Sequence, residues 1–256
     1  LLPNGRRIFN VAIRTIQLYK GQAIYGVGGG ITWDSTWESE YREVHQKAAV
    51  LYRKQARFKL ITTGKISQKS LLFEDQHLER LRKASRYFAY SFDAEDLRQK
   101  IEEECQACDS HQDYRLRISL SKSGEMKLSR QILTPLSPSF CKAKLCLQEA
   151  ALQQAFTYFK TTHRPHLSLG EQEIIYHNAA GELLETSIGN LVLKIAGKLY
   201  TPPTNLGILP GIYRQHLLET GQVEEKVLTV ADLNQAETIY SCNAVRGLYE
   251  LLLKEK

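Results

Sequence analysis

Short strand-like segments alternate with separate amphipathic helices along this chain, and that alternation limits the fold more than any other feature. Tyr114–Leu120 and Glu125–Leu133 read as strands on either side of the turn residues Lys122-Ser123-Gly124, which predicts a β-hairpin. Asp93 is placed to cap a helix that ends near Cys108. Antiparallel hairpins combined with separate helices predict an α+β fold.

The rest of the chain continues this pattern. Ser35 and Glu38 form a predicted capping box, and Asp75 is predicted to cap the next helix. Strands are predicted at residues 6–19, 58–61, 71–73, 142–147, 173–176, 191–195, 199–201, 223–228 and, as the last element, 238–241. Helices are predicted at residues 36–54, 75–90, 94–108, 211–221 and 231–234, with a Pro-containing linker at 135–138.

The composition indicates a soluble globular chain without a membrane segment. Hydrophobic residues make up 43% of the 256 positions and charged residues 24%, and no apolar run reaches the length of about 18 residues that a membrane helix needs. The net charge of +6 favours anionic small molecules over nucleic acid, because no long basic run is present. Without an initiator Met or the layout of a signal peptide, the chain is expected to be a fragment or a processed product.

The cysteines indicate a reducing compartment. The five cysteines form no disulfide framework, and the Cys105-x-x-Cys108 pair has neither a second pair nor a His partner at zinc spacing. We therefore expect free thiols in the cytoplasm.

Four polar segments are candidate sites on chemistry alone, and each also has an ordinary structural explanation. Lys160 lies between aromatic residues and a basic segment, an environment that lowers the pKa of an amine, although most lysines are simply solvated. Arg80 suits a phosphate or lies at the surface. Glu185 can pair with a protonated ring nitrogen or cap a turn. Leu209–Arg214 leads into a helix whose first N–H groups suit a phosphate, or is an ordinary Pro-Gly turn.

The N-terminal region adds two further candidates. Backbone N–H groups of the segment Gly26–Gly30 can cradle an anion, but no Gly-Lys-Ser/Thr follows, so this is not a Walker loop. Glu40 and Glu43 share one face of a predicted helix, where they either bind Mg²⁺ or remain solvated.

Five motifs occur in a fixed order between residues 58 and 256. They are His77-Leu78-Glu79-Arg80-Leu81, Lys160-Thr161-Thr162, Glu185-Thr186-Ser187-Ile188-Gly189-Asn190-Leu191, Tyr200-Thr201-Pro202-Pro203 and Gly207-Ile208-Leu209-Pro210-Gly211-Ile212-Tyr213-Arg214. In this order they resemble the class IV (fold type IV) pyridoxal 5'-phosphate (PLP) enzymes, which include branched-chain aminotransferase, D-amino-acid aminotransferase and 4-amino-4-deoxychorismate lyase. The resemblance implies a two-domain, D-amino-acid aminotransferase-like fold that binds PLP between the domains and usually forms a homodimer.

This resemblance implies a role for each matching residue. Lys160 corresponds to the Schiff-base lysine, Glu185 to the carboxylate at the pyridine nitrogen and Arg80 to the phosphate-binding arginine. The phosphate-binding loop corresponds to Gly211, Ile212 and Tyr213, and a further polar phosphate contact corresponds to Asn243.

Three positions depart from the family pattern. Thr62 stands where the family usually has Glu, and Gly189 stands where Ser or Ala is common. The segment after Lys160 is several residues shorter than usual, and Pro165 interrupts the helix expected there.

Residues 1–54 resemble the C-terminal end of a chorismate-binding enzyme, nearest in type to aminodeoxychorismate synthase component I. The segments Phe9–Thr15, Tyr25–Ile31 and Glu40–Glu43 carry this resemblance. It implies that Arg14, Gly28 and Gly29 would face chorismate carboxylates and that Glu43 would ligate Mg²⁺, in an intact domain only. The expected organisation is therefore this β-hairpin and helix remnant, a small PLP-enzyme domain at 55–140 and a large PLP-binding domain at 141–256.

Together the two segments resemble a fusion of aminodeoxychorismate synthase with its lyase. They imply a PLP-dependent lyase that converts 4-amino-4-deoxychorismate into p-aminobenzoate and pyruvate for folate biosynthesis. A class IV aminotransferase acting on branched-chain or D-amino acids is the alternative enzyme, and a non-catalytic, partner-binding remnant is the alternative of another class. A glutamine amidotransferase is the expected partner of the full-length synthase, and no nucleic acid or membrane partner is expected.

Overall fold

A computed structural model describes residues 15–52, 56–148, 155–168 and 170–253. The chain divides into two compact units, Leu1–Ala56 and Arg57–Lys256. Within the described residues no helix is long and apolar enough to cross a membrane. The predicted boundary between residues 140 and 141, inside the second unit, stays a prediction.

The first unit contains a hairpin and one helix. Strands β1 (Ile16–Tyr19) and β2 (Gln22–Tyr25) pair antiparallel, and helix α1 spans Trp37–Tyr52. The predicted capping box at the start of α1 is wrong. The Thr36 hydroxyl, not that of Ser35, accepts the Ser39 N–H at 3.3 Å, because the helix begins one residue later than the box requires.

The second unit begins with a four-stranded antiparallel sheet covered by two helices. Its strands are β3 (Leu60–Ser67), β4 (Ser70–Leu71), β5 (Tyr114–Leu120) and β6 (Met126–Ile132), in the order β4-β3-β5-β6. Helices α2 (Glu74–Phe88) and α3 (Ala94–Gln106) pack on one face of this sheet. The predicted hairpin of β5 and β6 is confirmed.

The two helices start differently. The Asp93 carboxylate accepts the N–H groups of Glu95 and Asp96, which confirms the predicted cap of α3. The predicted Asp75 cap of α2 is wrong, because α2 starts after Phe73 in a left-handed conformation (φ 58°) without a side-chain cap. Asp75 lies in the first turn instead, where it pairs with a guanidinium nitrogen of Arg98.

An eight-stranded mixed sheet forms the rest of the second unit. It consists of β7 (Lys142–Leu147), β8 (Glu173–His177), β9 (Leu183–Thr186), β10 (Asn190–Ile195), β11 (Lys198–Thr201), β12 (Glu224–Glu225), β13 (Thr238–Asn243) and β14 (Gly247–Leu253). The order is β12-β11-β10-β13-β14-β7-β8-β9, and Asn190 opposite Glu185 pairs β10 with β9, which closes the sheet on itself. Buried aliphatic side chains of β8, β9, β10 and β14 fill its core.

Short helices accompany this sheet. One predicted strand is shortened here, and another, present as β13, is not the last element. Helices α4, α5 and α6 span Ala155–Tyr158, Ile212–Glu219 and Val230–Gln235. The strand predicted at 223–228 is reduced to the two residues of β12, because the ladder with the end of β11 includes Glu224 and Glu225 alone from this segment. The strand at 238–241 is not the last element, since β14 follows it and pairs with β13 and β7. The mixed helix and strand content confirms the α+β class.

Replacing Leu116 with Ala is expected to destabilise the second unit by about 2–5 kcal/mol, because this β5 side chain is fully buried beneath α2 and α3 and its removal leaves a cavity. Ile132→Ala on β6 is the matched control. Its side chain is 58% exposed, so a change within about 0.5 kcal/mol is expected. Urea unfolding measures both, and equal losses would contradict the assigned core.

Candidate active site

A cavity of about 660 Å³ opens in the second unit, a size typical of small-molecule sites. Its walls come from β3, β5 and β9, from the loop after α4, from the start of α5 and from the turn between β13 and β14. Five sequence-predicted residues line it, namely Arg80, Lys160, Glu185, Gly211 and Asn243.

Lys160 is held against β3 by backbone hydrogen bonds. Its carbonyl oxygen accepts the Ile61 N–H at 3.0 Å, and the Thr162 N–H donates to the Lys59 carbonyl oxygen at 2.9 Å. Burial lowers the pKa of the Lys160 amine well below its usual value, and the positive charges of Arg80 and Arg164 lower it further. The lowered pKa increases the fraction of neutral amine, the form that acts as a nucleophile or base.

Glu185 ends in the same cavity and is almost completely buried on β9. Burial raises the pKa of its carboxyl to about 7, although the neighbouring Arg164 opposes this shift. The Arg164 Nη2 atom lies 3.5 Å from the Glu185 Oε2 atom, close enough for an ion pair. Glu185 is therefore a carboxyl that gains or loses its charge near neutral pH.

Arg80 lies beside the start of α5. Its Nη2 atom donates a 2.8 Å hydrogen bond to the carbonyl oxygen of Pro210, and burial together with Arg164 lowers the pKa of the guanidinium to about 10. The first N–H groups of a helix have no acceptor within it. Arg80 and the start of α5 thus present N–H donors and positive charge to an anion.

Gly211 caps α5, and its lack of a side chain is required there. A Cβ atom at this position would overlap the Asn190 side-chain oxygen, whose amide nitrogen donates to the Leu209 carbonyl oxygen at 2.8 Å. Gly189 is confined in the same way, since a Cβ atom would lie 2.7 Å from the Cys242 carbonyl oxygen and would also overlap the Ser241 hydroxyl. The packing therefore explains why glycine stands at 189.

Glu173 supports the segment that follows Glu185. This fully buried carboxylate accepts the Ser187 hydroxyl at 2.9 Å and the Ile188 N–H at 3.1 Å. Burial raises the pKa of Glu173, and these hydrogen bonds oppose that shift. Nothing in the sequence distinguishes Glu173 as a site residue, because the strand pattern of β8 resembles that of an ordinary buried strand.

Three predicted phosphate contacts have other neighbours. Asn243 lines the cavity, but its Oδ1 atom accepts the N–H groups of Val245 and Arg246 at 3.0 and 2.9 Å, so it shapes the turn before β14. Ile212 is buried and does not line the cavity. The Tyr213 ring packs near Gly247, where a Cβ atom would lie 3.4 Å away. For Ile212 and Tyr213, the backbone N–H groups remain the predicted phosphate contacts.

The chorismate-site candidates belong to the first unit. Glu43 forms a 2.5 Å ion pair with Lys47, whose amine also donates to the Gly28 carbonyl oxygen at 2.8 Å. The Glu40 and Glu43 carboxylates both lie close to Gly29. Arg14 lies outside the described residues. Where the structure describes the chain, no three His, Cys, Asp or Glu side chains form a metal-binding group.

Four arginines that sequence reasoning missed also line the cavity. They are Arg115 and Arg117 on β5, Arg164 after Lys160, and Arg246 before β14. With Arg80 and Lys160 they make six basic side chains, against Glu185 as the acidic residue of the described lining. The sequence signal that could have identified Arg115 and Arg117 was their alternation with Leu116 and Ile118, which are buried.

Comparisons with known proteins identify the family. Residues 59–251 match the model of amino-transferase class IV, so the chain belongs to that family. Residues 1–53 match the model of chorismate binding enzyme. These matches confirm the resemblances inferred from the ordered motifs.

Individual relatives agree with this assignment. The chain is 24% identical over 252 positions to aminodeoxychorismate lyase of Saccharomyces cerevisiae, covering 71% of this chain and 67% of that protein. A structure assigned as an amino-acid aminotransferase of Mesorhizobium loti is 27% identical, with a TM-score of 0.68 over 77% of this chain and 100% of the other. A PLP-bound hypothetical aminotransferase of Mycobacterium tuberculosis is 18% identical, with a TM-score of 0.63 over 77% and 81%.

PLP is the cofactor of class IV aminotransferases, and the residues of this cavity fit it. The glycine at the start of α5 leaves its N–H groups open to a phosphate beside Arg80. Glu185 is a buried carboxyl of the kind that can pair with a protonated ring nitrogen, and the Lys160 amine has the lowered pKa that Schiff-base formation requires.

Gly211→Ala is expected to weaken PLP binding at least tenfold, because the added methyl group displaces the start of α5 from Asn190 and moves the N–H groups that face the phosphate. Gly170→Ala is the control, since it also lies in the cavity wall and its nearest neighbour is 3.9 Å from the added atom. Fluorescence titration with PLP measures both, and equal affinities would contradict the predicted phosphate site.

Glu185→Gln is expected to alter how stability depends on pH in the protein without PLP. Between the ordinary carboxyl pKa of 4.5 and the folded value of about 7, the folded protein holds a proton that the unfolded chain has lost, so stability falls as pH rises. A Gln side chain removes this loss, which amounts to roughly 3 kcal/mol between pH 4.5 and pH 8.

Urea unfolding at these two pH values measures the effect. Glu102→Gln, on the exposed side of α3, is the control and is expected to behave like the wild type. Parallel pH profiles for Glu185→Gln and the wild type would contradict the raised pKa.

Proposed function

We propose that this protein is a PLP-dependent lyase that converts 4-amino-4-deoxychorismate into p-aminobenzoate and pyruvate. The observation that carries the proposal is the cavity in which a lysine amine of lowered pKa faces Glu185 among five arginines. The lyase name of the yeast relative and the chorismate-binding match at residues 1–53 support the same substrate.

When bound, PLP supplies an electron sink for charge that develops on the amine-bearing carbon. The protein side chains hold and move protons around that carbon. Lys160 acts as the base that removes the proton from the amine-bearing carbon, since its lowered pKa leaves the Nζ atom free to accept a proton. The loss of this proton and of the enolpyruvyl group as pyruvate makes the ring aromatic.

Glu185 and Arg80 would hold the cofactor, Glu185 at its ring nitrogen and Arg80 at its phosphate. Glu185 is buried, and near neutral pH its carboxylate charge is balanced by Arg164 or by a protonated ring nitrogen. Arg80 binds the phosphate while its bond to the Pro210 carbonyl fixes its direction toward the start of α5. With the cofactor held at its ring nitrogen and its phosphate, Lys160 would act on a cofactor in a fixed position.

A class IV aminotransferase is the alternative that uses the same lysine and carboxylate. The Mesorhizobium loti structure supports this class. Within the described residues, Arg115, Arg117 and Arg246 of the cavity lining form no ion pair. They suit a substrate rich in carboxylates better than the apolar side chain of a branched-chain amino acid, which favours the lyase. A non-catalytic remnant is the third possibility, and it predicts that PLP does not bind.

The same proposal includes the cellular compartment, the oligomeric state and the pathway. We propose that the lyase is a cytoplasmic homodimer that supplies p-aminobenzoate to folate biosynthesis. A glutamine amidotransferase partner and Mg²⁺ belong to a complete synthase, in which Glu43 would be a metal ligand and Arg14, Gly28 and Gly29 would face chorismate.

Lys160→Ala is expected to abolish pyruvate release from 4-amino-4-deoxychorismate and to remove the visible absorbance of lysine-bound PLP. Proton transfer by a positioned base contributes about 10²–10⁴-fold, and loss of the covalent link to the cofactor adds to this. Coupling to lactate dehydrogenase measures pyruvate, and a parallel assay with branched-chain amino acids and 2-oxoglutarate measures transamination.

Lys144→Ala, an exposed lysine of β7, is the control and is expected to keep both signals. Wild-type protein that binds PLP and transaminates without releasing pyruvate would replace the lyase with the aminotransferase. Wild-type protein that does not bind PLP would support the remnant.

A further inference from the structure

A buried threonine and a buried histidine meet behind the cavity wall. Ile61 and Thr63 of β3 line the cavity, and Thr62 between them is completely buried on the other face, because successive side chains of a strand alternate between faces. The Thr62 hydroxyl oxygen lies 2.6 Å from the Nδ1 atom of His77, a hydrogen-bond distance, and His77 belongs to the first turn of α2. This contact joins a strand of the cavity wall to the helix that covers it.

The histidine ring is neutral and only half satisfied. His77 is 1% exposed, and its Nε2 atom makes no hydrogen bond within the part of the chain that the structure describes. Burial, together with the positive charges of Arg80 and Lys160, lowers the pKa of His77 to about 3. A buried polar atom without a partner costs free energy, so an apolar side chain would stabilise this core better. Stability alone therefore does not explain the histidine.

The packing of α2 on β3 is adapted to this ring. A Cβ atom at Gly64 would lie 2.6 Å from the His77 Nε2 atom and 2.8 Å from a methyl carbon of Leu71. Such distances are too short for packed atoms, so a larger residue at 64 would push the ring or the helix away from the strand. Gly64 thereby lets His77 come close enough to reach Thr62.

Each member of the pair is adjacent to a residue of the active site. Thr62 follows Ile61, whose N–H donates to the Lys160 carbonyl oxygen at 3.0 Å. His77 precedes Arg80 by three positions, so both lie on the same side of α2. Their hydrogen bond thus connects the strand that holds Lys160 with the helix turn that carries Arg80.

The separation of Lys160 from Arg80 matters for a ligand that both residues contact. Lys160 is the residue that would bind the aldehyde carbon of PLP, and Arg80 would bind its phosphate. The covalent structure of PLP sets the distance between these two groups. A protein that already holds the two side chains at this distance loses less affinity to ordering them when the ligand binds.

We propose that Thr62 and His77 form a hydrogen-bonded pair that positions Arg80 relative to Lys160 and thereby favours a cofactor that carries a phosphate. This inference rests on the proposed function, in which Lys160 and Arg80 contact the two ends of PLP. Thr62 and His77 are positioning residues, because neither belongs to the described lining of the cavity.

Equilibrium binding of PLP and of pyridoxal, which lacks the phosphate, tests the pair without turnover. The visible absorbance of the lysine-bound form measures both affinities. The wild type is expected to bind PLP about a hundredfold more tightly than pyridoxal. Thr62→Val keeps the shape of the side chain without the hydroxyl and is expected to lower this ratio about tenfold, because Arg80 is held less firmly. Thr62→Ser keeps the hydroxyl and should retain the wild-type ratio.

A double-mutant cycle tests whether the two residues act together. His77→Phe keeps a buried ring without the hydrogen bond and is also expected to lower the ratio about tenfold. The double variant of Thr62→Val and His77→Phe should again lower it about tenfold, because one shared contact is lost in all three proteins. A loss of about a hundredfold in the double variant would mean that the two residues act independently, which contradicts the pair.

Ile118→Val is the matched control. Ile118 lies opposite Thr62 on β5 and is buried in the core beneath α2 and α3, so this variant loses a core methyl group and keeps the hydrogen bond. It should lower the urea midpoint and leave the ratio of PLP to pyridoxal affinity unchanged. An equal fall of the ratio in Ile118→Val and Thr62→Val would indicate a general loosening of the sheet and would overturn the pair.

The pyruvate assay separates this inference from the proposed function. Pyruvate release by the wild type, combined with an unchanged ratio in Thr62→Val, would refute the pair and leave the lyase. Absence of pyruvate release, combined with the expected changes in the ratio, would refute the lyase and leave the pair as a determinant of cofactor binding.

Discussion

The arrangement of the site depends on one backbone bridge between distant parts of the chain. Residues 59–61 pair with residues 160–162 through Leu60 opposite Thr161, and the Thr162 hydroxyl adds a 2.9 Å hydrogen bond from the Lys59 N–H. β3 belongs to the four-stranded sheet and pairs with β5, so the bridge fixes Lys160 relative to these two strands. The short segment after Lys160 does not need a long helix to place the amine, because β3 already holds it. Thr161 strengthens this by donating its hydroxyl to the His163 carbonyl oxygen at 2.9 Å.

Burial acts in opposite directions on the two central titratable groups. It lowers the pKa of the Lys160 amine and raises the pKa of the Glu185 carboxyl, because a charge of either sign is less stable away from water. The surrounding arginines then act differently on the two, since they oppose the charge of Lys160 and favour that of Glu185. A cavity with excess positive charge therefore keeps its lysine neutral while its carboxyl remains able to ionise, which is the combination that PLP chemistry needs.

Local signals predicted much of the fold, and tertiary contacts decided the rest. The β5–β6 hairpin and the Asp93 cap depend on neighbouring residues, so the sequence pattern was sufficient for them. The start of α2 was missed because the left-handed conformation of Phe73 accompanies ring contacts with Tyr213 and His216, more than a hundred residues away. The apolar run of β14 had no periodicity that separates a buried strand from a helix.

The same distinction applies to the site. Arg80, Lys160 and Glu185 were found because their motifs occur in a recognisable order, not because any of them was unusual alone. The arginines of β5 alternate with core residues, which predicts a common face, but sequence cannot say that this face borders a cavity rather than water. Only the β3–β5 register, the bridge to Lys160 and the turn that Asn243 shapes bring Arg115, Arg117 and Arg246 together. Such a cluster does not help the empty protein to fold, because like charges repel. Its presence is therefore better explained by an anionic ligand than by stability.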